Sequence, residues 1–266
     1  MSIRQHLQAL SAAGKTALIP FITAGDPDLS TTAKLLPALS AAGADLIEVG
    51  VPFSDPMADG PVIQQASERA LAQGTNLQGI LEMIGQLRQT GFQTPLILFT
   101  YYNPIYRLGL EAFTAQAKAA GVNAVLVVDL PPEQASDYLL ALKQAEIETV
   151  FLVSPTTPAA RIEIINQAST GCIYYVSRAG VTGARQEMAV GLKQELQNLQ
   201  ARVAQPVIVG FGISTAEHVH SLAGQAAGLV VGSALVKRIS DSHDPDTAIQ
   251  IASDYIQELK AALEAR

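Results

Sequence analysis

Asp45-Leu-Ile-Glu48-Val-Gly-Val51-Pro-Phe-Ser-Asp55-Pro-Met-Ala-Asp59-Gly-Pro61 reads as a short strand running into a Pro- and Gly-rich loop. Leu46, Ile47, Val49 and Val51 are apolar without alternation, the pattern of a strand covered on both faces. Glu48 is the only charge inside the run. A carboxylate taken out of water without a partner costs several kcal/mol, so a strand keeps one there for use rather than for packing. Asp59 follows on the loop. One carboxylate on a rigid strand and a second on an adjoining loop suit general acid–base chemistry.

Runs of the same kind recur at 17–23, 46–51, 96–101, 124–129, 149–154, 172–177, 207–211 and 228–232. Between them lie amphipathic stretches at 30–42, 77–89, 110–120, 132–145, 159–168, 187–202 and 215–223. Gly43, Gly91, Gly121 and Gly171 follow four of these stretches as helix stop signals. Eight strand–helix alternations in one chain predict an α/β fold, a (β/α)8 TIM barrel. Extra helices are expected at the N-terminus, after strand two (61–72) and at the C-terminus (246–263). No linker or composition shift interrupts the chain, so residues 1–266 read as a single domain.

Composition narrows the function classes. The 266 residues carry a net charge of −7, with 48% hydrophobic and 15% charged residues. That balance leaves no basic footprint for nucleic acid or anionic lipid. One cysteine, Cys172, cannot form an internal disulfide, which fits a reducing compartment. The N-terminus lacks the apolar core of a signal peptide, and no run approaches the roughly 20 apolar residues of a membrane span. A cytoplasmic location is expected, or a plastid stroma after loss of a transit peptide.

In such barrels the chemistry sits where strands end. Polar residues at those ends are Thr23, Glu48, Asn103, Asp129, Ser154, Ser177, Arg178 and Ser233, of which Ser154, like the nearby Ser214, reads as a helix cap. Gly210-Phe-Gly212-Ile-Ser214 follows strand seven and opens a helix, and Gly232-Ser233-Ala234 does the same after strand eight. Glycines admit an anion close to the backbone and helix N-termini offer N–H groups. The two segments together predict a phosphorylated ligand. After strand six, Ser177-Arg-Ala-Gly180-Val-Thr182-Gly183-Ala-Arg185 reads as a lid or as an ordinary flexible connection. The four histidines show no metal-ligand spacing. No lysine falls inside a strand, which disfavours a Schiff base. The dinucleotide fingerprint is also lacking. The substrate must therefore carry its own electron sink.

Over nearly its whole length the chain resembles the α subunits of tryptophan synthase. The segments that carry the resemblance are Pro20-Phe-Ile-Thr-Ala-Gly-Asp-Pro27, Glu48-Val-Gly-Val-Pro-Phe-Ser-Asp-Pro-Met-Ala-Asp-Gly-Pro61, Thr100-Tyr-Tyr-Asn-Pro104, Asp129-Leu-Pro131, Tyr175-Val-Ser-Arg-Ala-Gly-Val-Thr-Gly183 and Val209-Gly-Phe-Gly-Ile213. The resemblance implies retro-aldol cleavage of indole-3-glycerol phosphate to indole and glyceraldehyde 3-phosphate, with the protonated indole ring as the sink. It implies Glu48 as general acid, Asp59 as partner of the ring N–H, and Tyr174 and Thr182 in assistance. Phe21, Ile63, Phe99, Leu126 and Phe211 would line an indole slot. Gly183, Gly212, Gly232 and Ser233 would hold the phosphate.

It further implies an α2β2 complex with a β subunit that carries pyridoxal phosphate, and no cofactor in this chain. Pro52, Asp55, Pro56, Asn103, Pro104, Asp129 and Pro131 would form the contact surface. Three rivals stay open at this point. They are a stand-alone lyase that releases indole, a non-catalytic regulatory subunit, and another barrel acting on a sugar phosphate.

Overall fold

The computed structural model describes residues 2–177, 185–210, 212–242 and 244–265, apart from the side chains of 185–190. Strands β1 (Ala17–Thr23), β2 (Ile47–Gly50), β3 (Leu96–Thr100), β4 (Ala124–Val127), β5 (Glu148–Val153), β6 (Cys172–Val176), β7 (Val207–Gly210) and β8 (Gly228–Val231) pair in parallel and in sequence order. The last closes onto the first to complete the barrel. Each begins and ends within two residues of its expected position.

The helices are α1 (Ile3–Ala12), α2 (Leu29–Ala41), α3 (Pro61–Ala72), α4 (Leu77–Gln89), α5 (Tyr102–Leu108), α6 (Leu110–Ala120), α7 (Ser136–Ala145), α8 (Ala159–Ala168), α9 (Arg185–Gln200), α10 (Ala216–Leu222), α11 (Ser233–Ser240) and α12 (Pro245–Glu264). Local chemistry starts most of them where expected. Asp28, Asn76 and Asp244 accept the N–H of the third residue on, in α2, α4 and α12, which satisfies a donor the helix itself leaves open. Pro61 takes the first position of α3, where a missing N–H costs nothing.

Alternation along the strands sorts side chains into two cores. Ala17, Ile19, Phe21, Leu46, Ile97, Leu126, Val150 and Ile208 fill the barrel. Leu18, Ile22, Ile47, Val49, Leu98 and Val209 face the helices. Ile3 and Leu7 of α1 belong to the inner core, so α1 stoppers one end. The Glu148 carboxylate anchors it by accepting the Ser2 hydroxyl and the Ile3 N–H. The strand C-termini stay at the opposite end.

Four local expectations need correction. Residues 102–108, for which the sequence reading names no helix, form α5. Tyr101 supplies no side-chain cap; instead Asp129 Oδ1 accepts the Tyr102 N–H at 2.7 Å from the next strand's loop. The stretch 132–145 is a 3-10 turn followed by α7, not one helix. Thr215, not Ser214, caps α10, and Ser154 lies in a turn with Thr156 and Thr157 ahead of α8. Gly43, Gly91 and Gly121 take the left-handed conformation of a helix stop, whereas Gly171 does not. A methyl at Gly171 would fall 3.2 Å from Glu148 Cβ, so its small size is what the packing uses.

An ion pair between the partly exposed Arg69 and the buried Asp26 ties α3 to the segment after β1. Arg69 donates to both oxygens of Asp26 at 2.8 Å, and the Ser240 hydroxyl adds a third bond. Asp26 is 4% exposed. Arg69→Met strands that carboxylate and is expected to cost about 2–3 kcal/mol in chemical denaturation. Arg69→Lys is expected to recover only part, because a lysine cannot reproduce the two-pronged contact. An unchanged midpoint for Arg69→Met would show that the pair is not a structural tie.

Candidate active site

Glu48 lies at the centre of β2, in register with Phe21 of β1 and Ile97 of β3. It shares a strand face with Leu46 and alternates with Ile47 and Val49, so its side chain enters the barrel. It is 0% exposed, and neither carboxylate oxygen has a hydrogen-bond partner. Burial alone pushes it up from 4.5 to about 8, because the charged form has lost water and gained nothing in return. At neutral pH it is a protonated acid whose proton is bonded to no protein group.

Asp59 is held on the loop between β2 and α3 by a tyrosine that the sequence reading did not single out. The Tyr101 hydroxyl, at the end of β3, donates to Asp59 Oδ2 at 2.9 Å and accepts the Ala58 N–H at 3.0 Å. The Tyr101 ring stacks on Phe53, with centroids 4.9 Å apart. Gln64 Nε2 donates to the Asp59 carbonyl at 2.8 Å. Asp59 is only half-buried, yet desolvation raises its pKa, opposed by the Tyr101 bond. The available signal for Tyr101 was its place in Thr100-Tyr-Tyr-Asn-Pro104, at a strand end.

Tyr174 feels both carboxyls electrostatically. Its hydroxyl is pushed well up, first by burial and then by the charges of Glu48, Cys172 and Asp59, so both acids lie within its electrostatic reach. Its ring rests against β7, where a methyl at Gly210 would fall 1.9 Å from Tyr174 Oη. Only glycine leaves room for that ring.

Phe21 and Phe99 meet edge to face at 5.3 Å. Together with Thr23, Asp59, Ile63 and Tyr101 they line a cleft. The Thr23 hydroxyl in it is buried without a partner. Leu126 belongs to the same inner core as Phe21, with Phe99 and Ile63 packed against it. Four of the five expected slot residues thus come together; Phe211 lies outside the described residues.

Of the expected phosphate residues, Gly212 is exposed at φ +80°, and Ser233 opens α11 from Gly232. The first bonds of α11 run from Leu235 and Val236 to the Gly232 carbonyl, which leaves the Ser233 and Ala234 N–H groups ahead of the ladder. Gly232 also packs beside Phe21, since a methyl there would sit 3.6 Å from Phe21 Cβ. Thr182, Gly183 and the rest of the expected lid, 178–184, lie outside the described residues.

On the expected contact surface, Asp55, Asn103 and Asp129 are exposed and Pro56, Pro104 and Pro131 partly so. Pro52 is a correction. It is buried, because it continues the covered strand before the loop lifts away. Met57, between Asp55 and Asp59, is 83% exposed.

Known proteins share this arrangement at the level of the whole chain. The family described as Tryptophan synthase alpha chain matches residues 7–264. The chain is 46% identical over 262 residues to the tryptophan synthase alpha chain of Burkholderia cenocepacia (strain HI2424), covering 98% of this chain and 96% of that one. It is 47% identical over 261 residues to that of Laribacter hongkongensis (strain HLHK9), covering 98% and 97%. The crystal structure of tryptophan synthase subunit alpha from Legionella pneumophila str. Paris superposes with a TM-score of 0.91 at 39% identity, over 99% of both chains. The chain belongs to the tryptophan synthase alpha chain family.

Proposed function

We propose that this chain is a carbon–carbon lyase that cleaves indole-3-glycerol phosphate to indole and glyceraldehyde 3-phosphate and passes the indole to a β subunit. One observation carries the catalytic assignment. Glu48 is fully buried, unbonded at both oxygens and held protonated to about pH 8. A structural carboxyl would be hydrogen-bonded; this one has its proton ready for a ligand.

Glu48 donates that proton to C3 of the indole ring. The ring becomes a cationic indolenine, and Asp59 stabilises the charge by holding the ring N–H. The Glu48 carboxylate then accepts the proton of the glyceryl hydroxyl next to C3. The C–C bond breaks, its electron pair flows to the ring nitrogen, and the hydroxyl carbon leaves as the aldehyde. Glu48 ends protonated as it began. The ring supplies the electron sink, so the steps need neither a metal nor an imine. No lysine stands in any of the eight strands. Tyr101 fixes Asp59, and Tyr174 is within electrostatic reach of both acids. Gly212, Gly232 and Ser233 hold the phosphate; on the family resemblance alone, Gly183 joins them and Thr182 assists Asp59.

The β subunit contacts the loop carrying Asp55, Pro56 and Met57, together with Asn103, Pro104, Asp129 and Pro131. Pyridoxal phosphate belongs to that partner, and a cytoplasmic location fits. The exposed Met57, two residues from Asp59, supports coupling between contact and catalysis. Cleavage is therefore expected to speed up when β binds. A rate for the isolated chain equal to that of the complex would favour the stand-alone lyase.

Glu48→Gln is expected to lower kcat by about 10²–10⁴-fold while ligand binding survives; retained turnover removes Glu48 from the mechanism, and a wild-type chain without turnover favours the regulatory reading. In the wild type, activity should fall as pH rises through about 8, where the acid ionises.

Stability follows the same titration. Burial raises Glu48 above its unfolded value, so its contribution is full below about 4.5 and is lost as pH rises through about 8. Denaturation at several pH values should therefore show Glu48→Gln gaining on the wild type across that window. A constant difference would mean that Glu48 does not titrate as a buried acid.

Tyr101→Phe releases Asp59 Oδ2 and is expected to reduce turnover roughly tenfold, with little change in the melting midpoint. An unaltered rate would show that Asp59 needs no such support.

A further inference from the structure

Helix α12 packs outside the barrel and takes no part in the proposed chemistry, yet one of its side chains meets the segment after β7 directly and the start of α11 through Arg238. Tyr255 is 4% exposed. Its hydroxyl donates to the Ser214 carbonyl at 2.9 Å, two residues beyond Gly212. Arg238 of α11 lies over its ring, with Cζ 3.9 Å from the centroid. Arg238 Nη1 also donates back to the Ala234 carbonyl at 3.0 Å. The guanidinium is thereby held beside the first turn of α11, next to Ser233.

The β7–β8 ladder runs only to Val209↔Leu229, three residues before Gly212 and three before Gly232. Past that point the two segments separate, and strand pairing no longer sets the distance between them. Tyr255 spans the gap from behind, with a hydrogen bond on one side and a cation–π contact on the other. The peptide bond is planar and trans, so pinning the Ser214 carbonyl toward α12 turns the Thr215 N–H away from it.

We infer that Tyr255 is a positioning residue for the substrate phosphate, setting the spacing and orientation of the backbone after β7 and after β8. The inference rests on the reading of Gly212, Gly232 and Ser233 as the phosphate site. Tyr255 touches no reacting atom, so it acts on binding of the phosphorylated end and not on proton transfer. A purely structural tyrosine would instead lower the melting midpoint and leave the affinity of the folded protein intact.

The test is steady-state cleavage of indole-3-glycerol phosphate by the complex with β. Inorganic phosphate and indole serve as separate competitors, on the wild type, Tyr255→Phe and Arg238→Gln. Tyr255→Phe keeps the ring and loses the hydrogen bond. It is expected to raise KM and the inhibition constant of inorganic phosphate roughly three- to tenfold, with kcat and the indole constant unchanged. Arg238→Gln, at an exposed position, is expected to move the same two constants in the same direction even if Tyr255→Phe folds poorly. Failure of inorganic phosphate to compete in the wild type overturns the phosphate reading itself. Competition that is equal in the wild type and both variants overturns the role of Tyr255 alone. A parallel loss of phosphate and indole affinity overturns it too, because the damage is then general.

Discussion

A carboxyl group sealed in an apolar barrel without a partner is the constraint on which this structure turns. Glu48 is enclosed by Phe21 and Ile97 on the neighbouring strands and neither of its oxygens is bonded. Such a group persists only as the neutral acid, since the ionised form would face the full penalty of burial. The fold supports that state from both ends. Helix α1 stoppers the barrel below with Ile3 and Leu7, and glycine at positions 50 and 210 lets Phe21 and Tyr174 close in around it. The same burial that weakens the fold at high pH supplies a proton donor at neutral pH, which is the exchange of stability for function expected of an active site.

The second acid is held in the opposite way. Asp59 sits on a loop, half in water, and its position comes from contacts rather than enclosure. Tyr101 reaches it from β3, the Phe53 ring steadies Tyr101, and Gln64 secures the backbone. Arg69 and Asp26 then fasten α3, and with it the end of the loop, to the segment after β1. Two carboxyls with different environments can hold different protonation states, one to give a proton and one to balance a positive charge.

Much of this was legible in the residues. Eight unalternating apolar runs named the barrel, because strands buried on both faces have no polar side to show. Glu48 stood out as a charge where none belongs. Amphipathic spacing marked the helices that Asp28, Asn76 and Asp244 prove to cap. Features that depend on distant partners left no such mark. α5 takes its cap from Asp129, far along the chain. α7 ends at Glu146 with φ 58°, a left-handed position held by a residue other than glycine, whose carboxylate meets Lys118 of α6. Pro52 reads as a loop tip but is covered by the continuation of β2.

Local sequence decided which segments become strands and helices and which residue types could carry acid–base chemistry, because periodicity and capping act over a few residues. Closure of the barrel decided the rest. It removed Glu48 from water, brought Tyr101, just past β3, to Asp59 of the preceding loop, and set Tyr255 of the last helix against Ser214 after β7 and Arg238 of α11. Those relations join residues tens of positions apart, and burial and hydrogen bonding across such separations exist only once the chain has packed.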